Sequence, residues 1–136
     1  MNSTKVTATG YLTGDSSKYG HFEATQKTVR YPSYPPPHSE LRIIGMDPFN
    51  GGSHGVILVI KRSEIIKGEY NIAEDTDITA IYNAGEPSYF DNNGTLNIEE
   101  FNSEKQHIKG QFNFKSGKAE ITVSGEFELT GFDSTV

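Results

Sequence analysis

Two stretches toward the C-terminal end alternate between apolar and polar residues, and a chain that contains them has little choice of fold. In "HIKGQFNFK", Ile108, Gly110, Phe112 and Phe114 alternate with His107, Lys109, Gln111 and Asn113. In "AEITVSGEFELT", Ile121, Val123, Gly125, Phe127 and Leu129 alternate with Thr122, Ser124, Glu126 and Glu128. A period of two belongs to a strand with one face buried. The short "KSGK" between them reads as a turn, so the pair forms a hairpin. The inward glycines, Gly110 and Gly125, leave space for a bulky neighbour, and Phe112, Phe114 and Phe127 are its natural occupants.

The rest of the chain follows the same rule. "VTATGYL", "FEATQKTVRY", "ELRIIGM", "GEYNIA", "DITAIYN" and "NNGTLNIEEF" read as further strands, the last opened by an Asn-Asn-Gly turn signal. "HGVILVIKR" differs, because Val56 to Ile60 is apolar at every position, which places it centrally with both faces covered. "SEIIKG" is a candidate helical turn, and no segment sustains a helical period. Ile outnumbers Leu by 12 to 5 and Phe and Tyr number 8 and 7, a bias that suits a pleated sheet. The expectation is one all-β domain over residues 1–136, an antiparallel β-sandwich or flattened β-barrel of about 8–10 strands.

Three connections stand out. "YPSYPPPHSE" holds four of the chain's 6 prolines. Only about 30 residues precede it, too few for a separate domain. Residues 31–39 are therefore a stiff loop inside the domain. "MDPFNGGSHG" and "NAGEPSYFDNNG" are the second and third long loops. Gathered at one end of the sandwich, the three would form a binding surface, since function concentrates on loops. The alternative is that proline only keeps a connection from pairing with other strands.

From Leu41 onward the order of motifs resembles a family of small all-β bacterial domains of unknown function, many of them lipoproteins. The matching residues are Gly68 and Tyr70 in "GEY", Gly94, Leu96 and Ile98 in "GTLNI", Ile108, Gly110, Phe112 and Phe114 in "IKGQFNF", and Gly125 and Phe127 in "SGEF". The resemblance spans roughly the last two thirds of the chain. It implies a calycin-like or sandwich fold and supplies no catalytic residues. The chain departs from the family in carrying the proline loop and in lacking a lipidated cysteine and an export signal.

Motifs with chemistry are weak. "GGSHG" fits the form of a nucleophile elbow, but a strand rather than a helix follows it, and His54 cannot turn back onto Ser53. Asp91, Asn93 and Glu100 fall at the third, fifth and twelfth positions of a calcium loop whose first position, Tyr89, has no carboxylate. His21, His38, His54 and His107 lack the tight spacing of a zinc site, although His38 and His54 sit in two of the loops, with Asp47 or Glu40 near in sequence. "AEDTD" reads as an acidic turn, and the C-terminal Ser134-Thr135-Val136 as a chance match to a strand-addition motif.

No set of residues supplies nucleophile, base and orienting group together, so the sequence reads as that of a non-enzyme without cofactor or metal. The net charge of −6, with no basic run longer than Lys61-Arg62, gives no footprint for nucleic acid or an anionic membrane. With no cysteine and no signal core, the chain is expected in the cytoplasm. The expected function is a protein-binding module of the inhibitor or immunity type that blocks another protein, a basic one by charge. Its expected contacts are Tyr31, Tyr34, His38, Phe49, His54, Tyr89 and Phe90, because aromatic residues anchor interfaces. The alternative is a calycin-like carrier of a small apolar ligand.

Overall fold

The computed structural model describes residues 7–32, 39–49, 52–85 and 87–133, with the side chain of Phe49 outside the description. Twelve strands follow one another: β1 (Thr9–Ser16), β2 (Gly20–Glu23), β3 (Gln26–Arg30), β4 (Leu41–Phe49), β5 (Gly52–Ile60), β6 (Gly68–Ile72), β7 (Ile78–Gly85), β8 (Ser88–Tyr89), β9 (Asn92–Asn102), β10 (His107–Ser116), β11 (Thr122–Thr130) and β12 (Phe132–Asp133). They form two six-stranded sheets, β2-β1-β11-β10-β9-β6 and β12-β3-β4-β5-β7-β8. The sheets pack face to face as an all-β sandwich rather than closing into a barrel. Pairing is antiparallel throughout, apart from the short parallel contact of β12 with β3.

The alternating stretches form β10 and β11, whose buried residues are those of the expected face, from Ile108 to Phe114 and from Ile121 to Leu129. The inward glycines have a definite use. Gly110 lies opposite Phe127, Phe112 opposite Gly125, and Gly14 opposite Phe22. A Cβ on Gly125 would stand 2.5 Å from the Phe112 ring and 2.1 Å from the Thr13 carbonyl oxygen. On Gly14 it would stand 2.5 Å from the Phe22 ring. Each glycine therefore gives up its side-chain volume to a phenylalanine on the neighbouring strand, and the rings fill the space between the sheets.

The chain passes from one sheet to the other between β2 and β3. Ala24 still donates its N–H to Leu12 in the first sheet, while Thr25 donates to Met46 in the second. "FEATQKTVRY" is thus two strands meeting at a corner, not one. β5 is central in the second sheet as expected, with Val56, Leu58, Val59 and Ile60 all buried.

Two segments expected to be loops or turns are paired. β4 and β5 keep their register from Leu41 opposite Ile60 to Phe49 opposite Gly52, so "MDPFNGGSHG" is mostly a hairpin. Asn93 and Gly94 pair with Lys115 and Phe114 within the β9–β10 ladder, where ladder bonds outweigh the turn propensity of Asn-Asn-Gly. "SEIIKG" forms bends rather than a helical turn, and among the described residues there is no helix.

β9 also changes phase. Ile98 pairs with Gly110 but Glu100 pairs with Lys109, leaving Glu99 as the extra residue of a β-bulge. Beyond it, Phe101 faces inward opposite Ile108, and Glu100 faces outward beside His107.

Replacing Gly125 with Ala is expected to destabilise the fold by about 1–3 kcal/mol through overpacking. Gly117→Ala meets only ordinary contacts, the nearest at 3.5 Å, and is expected to change stability by less than about 0.5 kcal/mol. Urea unfolding of the two variants measures the difference.

Candidate binding surface

β4 runs the length of the second sheet, from the proline connection at Leu41 to the β4–β5 turn. Leu41, which follows the proline stretch in sequence, and Gly52 therefore lie at opposite ends of that sheet. The β7–β9 connection joins the β4–β5 turn, because Gly85 pairs with Ser53. Of the residues expected at the site, Tyr34 and His38 lie outside the described residues, and so does the side chain of Phe49. Tyr31 is at the far end, where its hydroxyl donates to the Ser63 carbonyl at 2.9 Å. Its ring meets Phe101 and Phe132 edge-on, with centroids 5.2 and 6.2 Å away.

His54, Tyr89 and Phe90 belong to a different group. His54, on β5, has its Nε2 2.7 Å from the Tyr82 hydroxyl of β7, and its ring lies 4.7 Å from that of Phe22 on β2. Tyr82 is fully buried, and Tyr89 stacks on it at 5.9 Å. The Tyr89 hydroxyl in turn lies 3.0 Å from that of Tyr19, in the β1–β2 turn of the other sheet. A chain of rings thus runs from the interior, where Phe22 and His54 meet, to a partly exposed rim formed by Tyr19 and Tyr89.

Phe90 extends that rim and is 58% exposed. The residues around it are tied down. The Asn92 amide donates to the Tyr89 carbonyl at 2.8 Å and to the Ala80 carbonyl at 2.7 Å. Asp91 accepts the Lys118 N–H at 2.9 Å on its carboxylate and the Gly117 N–H on its carbonyl oxygen. Phe90 lines an open groove together with Glu74, Ser88, Tyr89, Asp91, Lys118 and Ala119. A large exposed ring on an anchored backbone loses little entropy on meeting a partner.

The chemistry here is hydrogen bonding and packing. His54 uses Nε2 on Tyr82, not on Ser53, and Ser53 lies within strand β5 rather than on an elbow. Of the suggested calcium ligands, Asp91 caps the β10–β11 turn, while Asn93 and Glu100 lie in β9. Glu40 is at the proline end, buried and paired with Arg42, whereas Asp47 lies opposite His54.

Burial raises the Tyr82 phenol above its ordinary range. The hydrogen bond between the two phenols lowers Tyr19 and raises Tyr89, and either hydroxyl can donate. Burial holds the His54 imidazole below the ordinary histidine value, with Asp47 opposing and His21 reinforcing the shift. His21 is raised, chiefly by its hydrogen bond to Asp15.

Tyr19 and Tyr82 were not among the sequence candidates. Tyr82 is one apolar position in an alternating strand and Tyr19 one residue of a polar turn, and only the pairing of distant strands joins them. No protein-family model matches this chain, and neither does any curated protein or solved structure.

The two histidine shifts have opposite consequences. As pH falls below 6.5, the unfolded chain protonates its counterpart of His54 before the folded one does, so the stability that His54 confers declines. The contribution of His21 is complete below 6.5 and fades as pH rises through its raised folded value. An NMR titration is expected to place the His54 midpoint below that of His21. Urea unfolding at about pH 7 and pH 5 is expected to show a change in stability on acidification that is more favourable in His54→Gln than in the wild type.

Proposed function

We propose that the chain is a non-catalytic protein-binding module, of the kind that inhibits or neutralises a partner, and that it docks through the Tyr19–Tyr89–Phe90 rim. The observation that carries this reading is Phe90, more than half exposed on a backbone fixed by Asn92 and Asp91. Its neighbour Tyr89 lines the same groove, stacks on buried Tyr82 and is hydrogen-bonded to the Tyr19 phenol. Rigid aromatic side chains beside charged groups such as Lys118 and Glu74 have the composition of an interface hot spot with a polar rim.

Charge supports a basic partner. The outer face of the first sheet gathers Asp15, Glu69, Glu99, Glu100, Glu126 and Glu128 around Lys109 and Lys115, which favours encounter with a positive surface. The absence of cysteine suits a cytoplasmic setting. The motif order from Leu41 onward keeps the small all-β bacterial domains as the proposed relatives. The carrier alternative has less support, because Leu12, Leu58, Phe112, Phe114 and Phe127 occupy the space between the sheets.

The double variant Tyr19→Ala, Phe90→Ala tests the surface. Its partner, captured from host lysate with the wild-type chain and then purified, is expected to bind the variant at least tenfold more weakly, with the melting temperature nearly unchanged. Equal affinity of the two proteins would remove this rim from the interface.

A further inference from the structure

On the outer face of the first sheet, away from the aromatic rim, three adjacent strands bring together side chains that share no sequence motif. His107 opens β10, Glu100 lies on β9 and Glu128 on β11. The His107 Nε2 is 2.9 Å from the Glu128 Oε2, and its Nδ1 is 3.6 Å from the Glu100 Oε2. One donor atom from each residue lies within 4.8 Å of the other two, and among the described residues this is the group that converges so closely.

We propose that Glu100, His107 and Glu128 form a binding site for a divalent transition-metal ion, with zinc as the best match. An imidazole nitrogen with two carboxylates suits zinc, whereas calcium and magnesium favour all-oxygen sets. Three protein ligands leave a further position for water, the arrangement of an open rather than a closed zinc site. Ligands at about 2.1 Å from a tetrahedral ion stand about 3.4 Å from one another. His107 and Glu128 are already near that separation. With Nε2 as the ligand, Glu100, which faces Nδ1 in the metal-free protein and is 60% exposed, swings across to complete the set.

The backbone supplies two of the three positions in advance. Glu128 and His107 are fixed by the β10–β11 register. Glu100 reaches the same face because of the bulge at Glu99; without that bulge, alternation from Leu96 and Ile98 would turn Glu100 inward. The bulge also directs Phe101 toward Tyr31 and Phe132, so packing accounts for its presence and the metal site makes use of its other side.

In the metal-free protein each imidazole nitrogen faces a carboxylate oxygen, an arrangement that a proton also satisfies. Lys109 stands between Glu100 and Glu128 in the ladder, with its ammonium 3.9 Å from Glu99, and its positive charge opposes the ion.

Titration calorimetry with Zn²⁺ alone tests the assignment. The expected result is one ion per chain, with a dissociation constant of about 10 µM or tighter at pH 7.5. His107→Ala is expected to abolish binding, Glu100→Gln and Glu128→Gln to weaken it at least tenfold, Lys109→Gln to tighten it, and His21→Ala to leave it unchanged. Circular dichroism of each metal-free variant checks that the sheet is intact, and ¹⁵N shifts of the His107 ring in the wild type report ligation without any variant. No binding at about 1 mM Zn²⁺, or binding that survives His107→Ala or disappears in His21→Ala, overturns the proposal.

Discussion

The sandwich depends on the pairing of inward glycines with phenylalanines across β1, β2, β10 and β11. At each such position one strand omits its side chain and the next fills the gap with a ring. This fixes register more firmly than alternation does, because a two-residue slip of β10 on β11 preserves the polar and apolar faces yet sets Phe112 against Phe127 in one direction and Gly110 against Gly125 in the other. Once these strands are locked, the second sheet has a shaped surface to cover. Gly45, which would meet Leu12 if it carried a Cβ, is the matching close approach from the other side.

The same strands place the functional candidates. β2 brings Phe22 over His54, and the turn before β2 brings Tyr19 over Tyr89, so the aromatic rim forms where an edge of the first sheet crosses the second. The rim is thus made by both sheets and inherits the rigidity of their packing. The convergence of Glu100, His107 and Glu128 has a simpler origin, a single face of three consecutive paired strands.

The faces of the strands were legible in the sequence because period two leaves one interpretation of Ile108, Phe112 and Phe114. Segments rich in Gly and Asn were not. Around Gly52 to Gly55, and at Asn93 and Gly94, local preference points to turns, but backbone pairing with neighbouring strands decides the outcome. The corner at Ala24 and Thr25 carries no Gly or Pro to announce it. For the site, the aromatic residues Tyr89 and Phe90 and the nearby His54 were identifiable, but their grouping with the proline loop was not. A hairpin reverses the chain, and the nine residues of β4 carry it from one end of the sheet to the other. Tyr19 and Glu128 gain their roles only through partners more than twenty residues away, a relation that no local pattern encodes.

The bulge in β9 makes this strand tolerant of a change in its length in a way that its neighbours are not. Its two halves are out of step by one residue, and that offset is what admits Phe101 to the interior and keeps Glu100 out. Many side chains would serve at position 99, since the bulged residue has no partner of its own in the ladder. Loss of that one position would restore plain alternation from Ile98, with Glu100 still outward and Phe101 still inward among Tyr31, Ile108 and Phe132. Across related sequences, then, residue 99 should drift in identity and can be missing, whereas Glu100 and Phe101 should stay adjacent.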